Sequence, residues 1–382
     1  MKMAIYLDHA ATTPIHPEVK KAMLPFLDEA FGNPSSIHQY GRAVRNAIDH
    51  ARWQVAEGLN AEASQIIFTS GGTEADNTAL IGVALACREQ GKKHLITSEI
   101  EHHAVLDTCR YLEHMGFEVT YLPVDRTGMV DVEDLKSSIR PDTALISIMY
   151  GNNEVGTLQP IETIGAIARE HRVFFHTDAV QAFGIEKIDV KKLPVDLLSI
   201  SSHKINGPKG AGALYVSKQV KLMPRFFGGA QERRKRAGTE NVPGIVGFGK
   251  AAELAARNRD VHYREMLQLR EAFLEELKEQ QVTFVINGHH ERFLPHILNL
   301  SFPGTDTETL LMNFDLAGVA CASGSACTSG TLEVSHVLRA MHLSEEVTRS
   351  AIRFSFGRGN TEAEVRQAAR ITAEITGRLI HR

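Results

Sequence analysis

Between about residues 40 and 260 the chain alternates short apolar runs with stretches of helical periodicity, and few folds accommodate that alternation. Strand-like runs fall at 65–69, 94–98, 117–123, 144–150, 173–177, 197–201 and 213–217. Several are apolar on consecutive residues, as strands covered by helices on both faces are. Helical patterns at 41–57, 74–89, 104–115 and 161–170 separate them. The alternation predicts an α/β fold, with one large domain whose seven-stranded, mostly parallel sheet is flanked by helices. After about residue 258 the pattern changes. A charged amphipathic helix (260–280) leads into strand candidates at 282–287 and 297–302, and a helix follows at 307–315. A small-residue segment, a helix near 333–341, a strand at 351–356 and a last helix at 361–380 complete the chain. The expected division is a large domain over 16–258 and a smaller α+β domain made of 1–15 and 259–382.

The net charge of −4 gives no general attraction to nucleic acid or to an anionic membrane. The N-terminal apolar run meets Asp8 too early for a secretory signal, and no stretch approaches the length of a membrane span. Cys87, Cys109, Cys321 and Cys327 are too few for a disulfide scaffold in a chain of 382 residues. A cytoplasmic protein with reduced thiols is therefore expected.

The polar groups gather where the strand-like runs end. Val173-Phe-Phe-His-Thr-Asp178 closes on an acid, and Asp196-Leu-Leu-Ser-Ile-Ser-Ser-His-Lys204 closes on a lysine before Gly207-Pro208. A lysine able to form a Schiff base and a carboxylate able to pair with a pyridinium nitrogen suit a pyridoxal phosphate (PLP) site. A solvated lysine and a turn acid suit the same pair alone. Phe68-Thr-Ser-Gly-Gly-Thr-Glu-Ala-Asp-Asn77 follows a strand and opens a helix. Gly71, Gly72 and Thr73 can cup a phosphate there, or merely cap the helix. No lysine follows in the spacing of a nucleotide P-loop.

Ser98-Glu-Ile-Glu-His-His103 brings two histidines to the next strand end. Either ring can stack on a flat cofactor or cap a helix; a zinc pair lacks a spaced third ligand, so no metal is expected. Met149-Tyr-Gly-Asn-Asn-Glu154 supplies Asn152 and Asn153. Ligands of open α/β sheets bind at the carboxyl ends of strands, and these groups converge there. In the second domain, Cys321-Ala-Ser-Gly-Ser-Ala-Cys-Thr-Ser-Gly330 has no bulky side chain, so a mobile loop over about 321–331 is expected to present Cys327. Arg353 interrupts an apolar run and either grips a substrate carboxylate or forms an internal salt bridge. The basic run Arg233-Arg-Lys-Arg236 reads as a solvated loop rather than a nucleic-acid patch.

Together with Tyr6-Leu-Asp-His-Ala-Ala-Thr-Thr-Pro14, Phe31-Gly-Asn-Pro-Ser-Ser36, Asn152-Asn-Glu-Val-Gly156, His176-Thr-Asp-Ala-Val-Gln181, Arg236-Ala-Gly-Thr239 and Ser323-Gly-Ser-Ala-Cys327, these stretches carry a resemblance over nearly the whole chain. The chain resembles the cysteine desulfurases of the class V aminotransferase family, fold-type I PLP enzymes, in the branch with an extended mobile cysteine loop. The resemblance implies that Lys204 holds PLP, Asp178 pairs with the ring nitrogen, Gln181 hydrogen-bonds the ring hydroxyl and His102 stacks on the ring.

It implies further that Gly72, Thr73, Ser201 and His203 bind the phosphate, with Thr239 reaching it from the second subunit of a homodimer. Asn153, Arg353 and Asn33 fall to substrate binding, and Asn153 to cofactor binding as well. The implied reaction converts L-cysteine to L-alanine, leaving a persulfide on Cys327. The sulfur passes to an acceptor protein, either an iron–sulfur scaffold or a tRNA-thiolation or thiamine-pathway enzyme. Transamination, β-elimination or selenocysteine cleavage on the same chassis would share Lys204 and Asp178, and Cys327 is what separates desulfuration from transamination. A non-catalytic sulfur-relay protein would have no use for Lys204, Asp178, His102 and Arg353 together. Cys321 has no role in this reading.

Overall fold

The structure is a computed structural model that describes residues 5–324 and 334–380. Strand β1 (Ile5–Tyr6) precedes the main sheet. That sheet is built from β2 (Ile66–Thr69), β3 (His94–Ser98), β4 (Glu118–Leu122), β5 (Thr143–Ser147), β6 (Phe174–Asp178), β7 (Leu197–Ser201) and β8 (Gly212–Val216). Its order is β2-β8-β7-β6-β5-β3-β4. Only β8 runs against its neighbours, so β2 to β7 all end on one edge.

Neighbouring residues on these strands enter opposite apolar layers, as the two-residue strand period requires. Ile66, Phe68, Ile96, Ile146, Leu198 and Ile200 join one layer with Phe248. Ile67, Leu95, Leu145, Leu197 and Leu214 join the other, under helices Gly72–Arg88 and His103–His114.

A second apolar core gathers Leu7, Phe273, Leu300, Phe302, Phe314, Phe354 and Phe356. It covers an antiparallel sheet of β9 (Val285–Asn287), β10 (Ile297–Ser301) and, after the short β11 (Val319–Ala320), β12 (Ala351–Ser355). The N-terminal residues join this part: β1 pairs in parallel with β11, and Asp8 bridges to Ser355.

The helix expected at 260–280 is one continuous helix, Val242–Glu279, of 38 residues. Its first half (Val242, Ile245, Phe248, Leu254) packs in the large core and its second (Met266, Leu269, Phe273, Leu277) in the small one. We propose the domain division at 258/259 on this change of packing partners; no loop marks it. Among the described residues no helix is long and apolar enough to cross a membrane.

Candidate active site

A cavity of about 590 Å³ opens along the carboxyl ends of β2, β3, β5, β6 and β7. Lys204, Asp178, Gln181, His102, Gly72, Thr73, Asn153, Ser201, His203 and Arg353 all line it, with Cys321 and His336 from the C-terminal part of the chain. Asn33 and Thr239 are exposed on surface segments outside the cavity of a single chain. Cys327 lies outside the described residues.

Lys204 leaves β7 through a single turn of 3-10 helix, and its Nζ donates to the carbonyls of Ala10 and, at 3.0 Å, Ala11. The N-terminal segment thus caps the lysine, and Thr13 ties it down through hydrogen bonds to the His203 carbonyl. Burial, and then the Arg353 guanidinium, lower the Lys204 pKa to about 8, while Asp178 and Asp8 oppose the shift.

Asp178 ends β6 and accepts the Val180 N–H at 2.9 Å. Burial raises its pKa against the pull of His102 and Lys204. Behind it, Asp76 is enclosed and pushed well above the carboxylate range by burial and by Asp178. Beside Asp76, burial holds His176 down at about 3, with hydrogen bonds to Ser147 and Ser199. Both lie in motifs quoted above but have no role assigned there, since Asp76 reads as the polar first turn of a helix and His176 as a strand residue.

His102 caps a helix and faces the cavity. Its Nδ1 accepts the Ala104 N–H at 3.1 Å as N-cap of helix His103–His114, and its ring lines the cavity. An acceptor at Nδ1 places the neutral ring's proton on Nε2. Burial lowers its pKa, and Asp178 opposes. Next to it, Glu101 accepts from Ser98 Oγ at 2.6 Å and from the Met149 N–H at 3.0 Å. Burial pushes Glu101 up to about 8, so at neutral pH it is a protonated brace between β3 and β5.

The donor set fits PLP. The first turn of helix Gly72–Arg88 faces the cavity with free N–H groups and the positive end of its dipole. Ser201 Oγ is buried with no protein partner, which a phosphate oxygen would satisfy. Gln181 Nε2 donates to the Ala10 carbonyl at 2.9 Å and retains a second hydrogen. Burial holds His203 down at about 4, and its Nδ1 lies 3.2 Å from Thr12 Oγ1.

Arg353 forms an internal ion pair with Asp8 at 2.9 Å, donates to the Asn153 carbonyl at 2.9 Å, and keeps Nε buried without a partner. Unused guanidinium hydrogens therefore remain at the cavity wall. Arg353→Lys keeps the charge but loses the fork, and is expected to lower kcat/KM for L-cysteine about 10²-fold, mostly through KM. Steady-state kinetics checks this, and an unchanged KM would remove Arg353 from substrate binding.

Cys321 also lines the cavity, and burial raises its thiol pKa far above the usual range. Among the described residues no group of His, Cys, Asp and Glu is arranged to hold a metal ion.

The family model for class-V aminotransferases (Aminotransferase class-V) matches residues 5–367. The chain is 54% identical over 377 residues to the putative cysteine desulfurase IscS 1 of Bacillus subtilis, covering 98% of this chain and 99% of the relative. It is 52% identical over 376 residues to the cysteine desulfurase IscS of Methanosarcina thermophila, covering 98% and 93%. Among solved structures, a NifS-like protein superposes with a TM-score of 0.93 at 38% identity, over 99% of this chain and 100% of that one. A structure described as SspA in complex with cysteine gives 0.82 at 39% identity, over 92% and 98%. With this site at the carboxyl edge of its sheet, the chain belongs to the class-V aminotransferase family and, within it, to the PLP-dependent cysteine desulfurases.

Proposed function

We propose that this chain desulfurates L-cysteine with Lys204, His102 and Cys327 as its catalytic groups, Asp178 and Gln181 holding the cofactor ring, and Arg353 and Asn153 holding the substrate carboxylate. The observation that carries this is the meeting of Lys204, Asp178, His102 and Arg353 in one cavity. PLP bound through Lys204 supplies an electron sink for cleavage at the amino-acid carbons. Gly72, Thr73, Ser201 and His203 take its phosphate. Once the substrate amine replaces the Lys204 amine, that amine is the base positioned to take the Cα proton. His102, neutral and protonated on Nε2, would stack on the ring and can shuttle a proton to the carbon that loses the sulfur. Cys327 receives the substrate sulfur: the Cβ–S bond breaks, an S–S bond forms, and the remaining carbon skeleton is protonated to alanine. The solved structure described as SspA in complex with cysteine, to which this chain is similar, supports the substrate.

The same reading assigns a homodimer. Thr239 and Asn33 are exposed on segments that also expose Phe227 and Phe31 by 85% and 75%. A second copy of the chain would cover these rings and bring Thr239 to a phosphate. The sulfur passes to an acceptor protein of iron–sulfur assembly, tRNA thiolation or a thiamine pathway. The free cysteines Cys87, Cys109 and Cys321 support a reducing, cytoplasmic setting. The purified protein, given PLP, L-cysteine and a reductant, is expected to release alanine and sulfide in equal amounts. Pyruvate in place of alanine would replace this reading with β-elimination.

A further inference from the structure

Gln181 is buried at the cavity wall, and both partners of its amide come from outside the large sheet. On one side the Ala10 carbonyl accepts its Nε2–H at 2.9 Å. Ala10 is itself fixed, since its N–H donates to Ser355 Oγ of β12 at 2.8 Å. On the other side His296 Nε2 lies 3.3 Å from Gln181 Oε1, joining residues 115 positions apart. His296 directly precedes β10, and its carbonyl accepts the Phe356 N–H at 2.9 Å. The ring is therefore held by the backbone of the small sheet.

A carbonyl only accepts, so the Ala10 contact settles which end of the Gln181 amide is nitrogen. The oxygen is left facing His296, and His296 must then carry a proton on Nε2. Burial holds the His296 pKa at about 3, and the titratable groups around its ring (His262, His9, Lys204 and Arg353) are bases that oppose a second proton. The ring is neutral, with its one hydrogen committed to Gln181. Its Nδ1 agrees: it is buried with no protein partner, and a hydrogen placed there would be stranded.

With both ends of the amide engaged, the second Nε2 hydrogen is left for the cavity that Gln181 lines. A flipped amide would lose both hydrogen bonds and offer an oxygen in place of that hydrogen. We propose that His296 is a positioning residue for the cofactor ring: by donating to Gln181 Oε1 it fixes the amide so that Nε2–H is the group presented to the PLP ring hydroxyl. The inference rests on the assignment of that hydroxyl to Gln181. A donor at an ionised ring oxygen stabilises the anion, so losing its alignment raises the pH at which bound PLP changes its visible absorbance.

The test compares the wild type with Gln181→Leu, His296→Asn, His296→Gln and the double variant Gln181→Leu/His296→Asn. A second cavity of about 250 Å³ borders His296 and leaves room for these changes. Two quantities are read without turnover: the pH midpoint of the visible absorbance of the PLP-loaded protein, and the Kd for PLP added to cofactor-free protein. Gln181→Leu is expected to raise the midpoint by about one unit and the Kd about tenfold. His296→Asn, whose amide stops short of Gln181, is expected to reproduce most of both changes. His296→Gln places a terminal N–H where Nε2 stood and is expected to restore the wild-type values. The double variant should go no further than Gln181→Leu. Wild-type values in His296→Asn, equal changes in His296→Asn and His296→Gln, or additive effects in the double variant overturn the proposal. Wild-type values in Gln181→Leu refute the assignment of the ring hydroxyl to Gln181, and the proposal falls with it. If His296→Asn does not fold, His296→Leu, which also lacks a donor, is read in its place; if the absorbance does not titrate, the Kd decides alone.

Discussion

Lys204→Ala is expected to end covalent capture of PLP and to lower alanine release by at least ~10³-fold. The lysine is placed for both tasks: it ends a buried strand, lines the cavity beside Asp178, and rests on the Ala10 and Ala11 carbonyls. Those carbonyls hold its hydrogens without neutralising it, so its reactivity is set by burial and by Arg353. With a pKa of about 8, the amine lone pair is available above that pH and withdrawn as an ammonium below it. Loading of PLP onto cofactor-free protein should therefore slow about tenfold for each unit below pH 8 and level off above it. Rapid-mixing absorbance measures this directly. A Lys204→Ala protein that acquired the same covalent absorbance would assign the bond to another lysine.

Cys327→Ser is expected to bind PLP and L-cysteine normally and to lose at least ~10³-fold in alanine release, with no protein-bound persulfide detectable by mass. The reason is the alternative thiol. Cys321 lines the same cavity, but its burial keeps the proton on sulfur throughout the neutral range. A protonated thiol is a poor acceptor for a departing sulfur, so proximity alone does not let Cys321 take over. Persulfide found on Cys321 in the Cys327→Ser protein would show that the cavity shifts this thiol far more than its surroundings imply.

The main sheet was legible because its strands are covered on both faces. His94–Ser98 and Leu197–Ser201 read as unbroken strands and are buried at every position. The strand ends then presented Thr73, His102, Asn153, Asp178 and Lys204, which the parallel arrangement brings to one cavity. The helix expected at 260–280 begins at Val242, and Gly244, Gly247 and Gly249 lower the helix propensity of the front part that the expectation left out. They are there for close approach: a Cβ on Gly249 would lie 2.6 Å from Ala51 Cα, and one on Gly247 would lie 2.7 Å from Met23 Sδ. Local propensity yields here to the packing of one helix against another. Contacts that join distant segments, such as Ser335 to Glu154 and Arg353 to Asp8, leave no local pattern at all.

The carbonyls that cradle Lys204 follow β1, which finds its partner only at Val319 and Ala320. During synthesis at about 5–20 residues per second, the first strand must wait unpaired until the last fifth of the chain has begun to emerge. The large sheet can assemble in that interval, and Thr13 and His16 already tie the segment to the His203 and Asn206 carbonyls. The cradle of the lysine is therefore anchored in two stages, first to the strand end that carries the lysine and last to a strand from the far end of the chain.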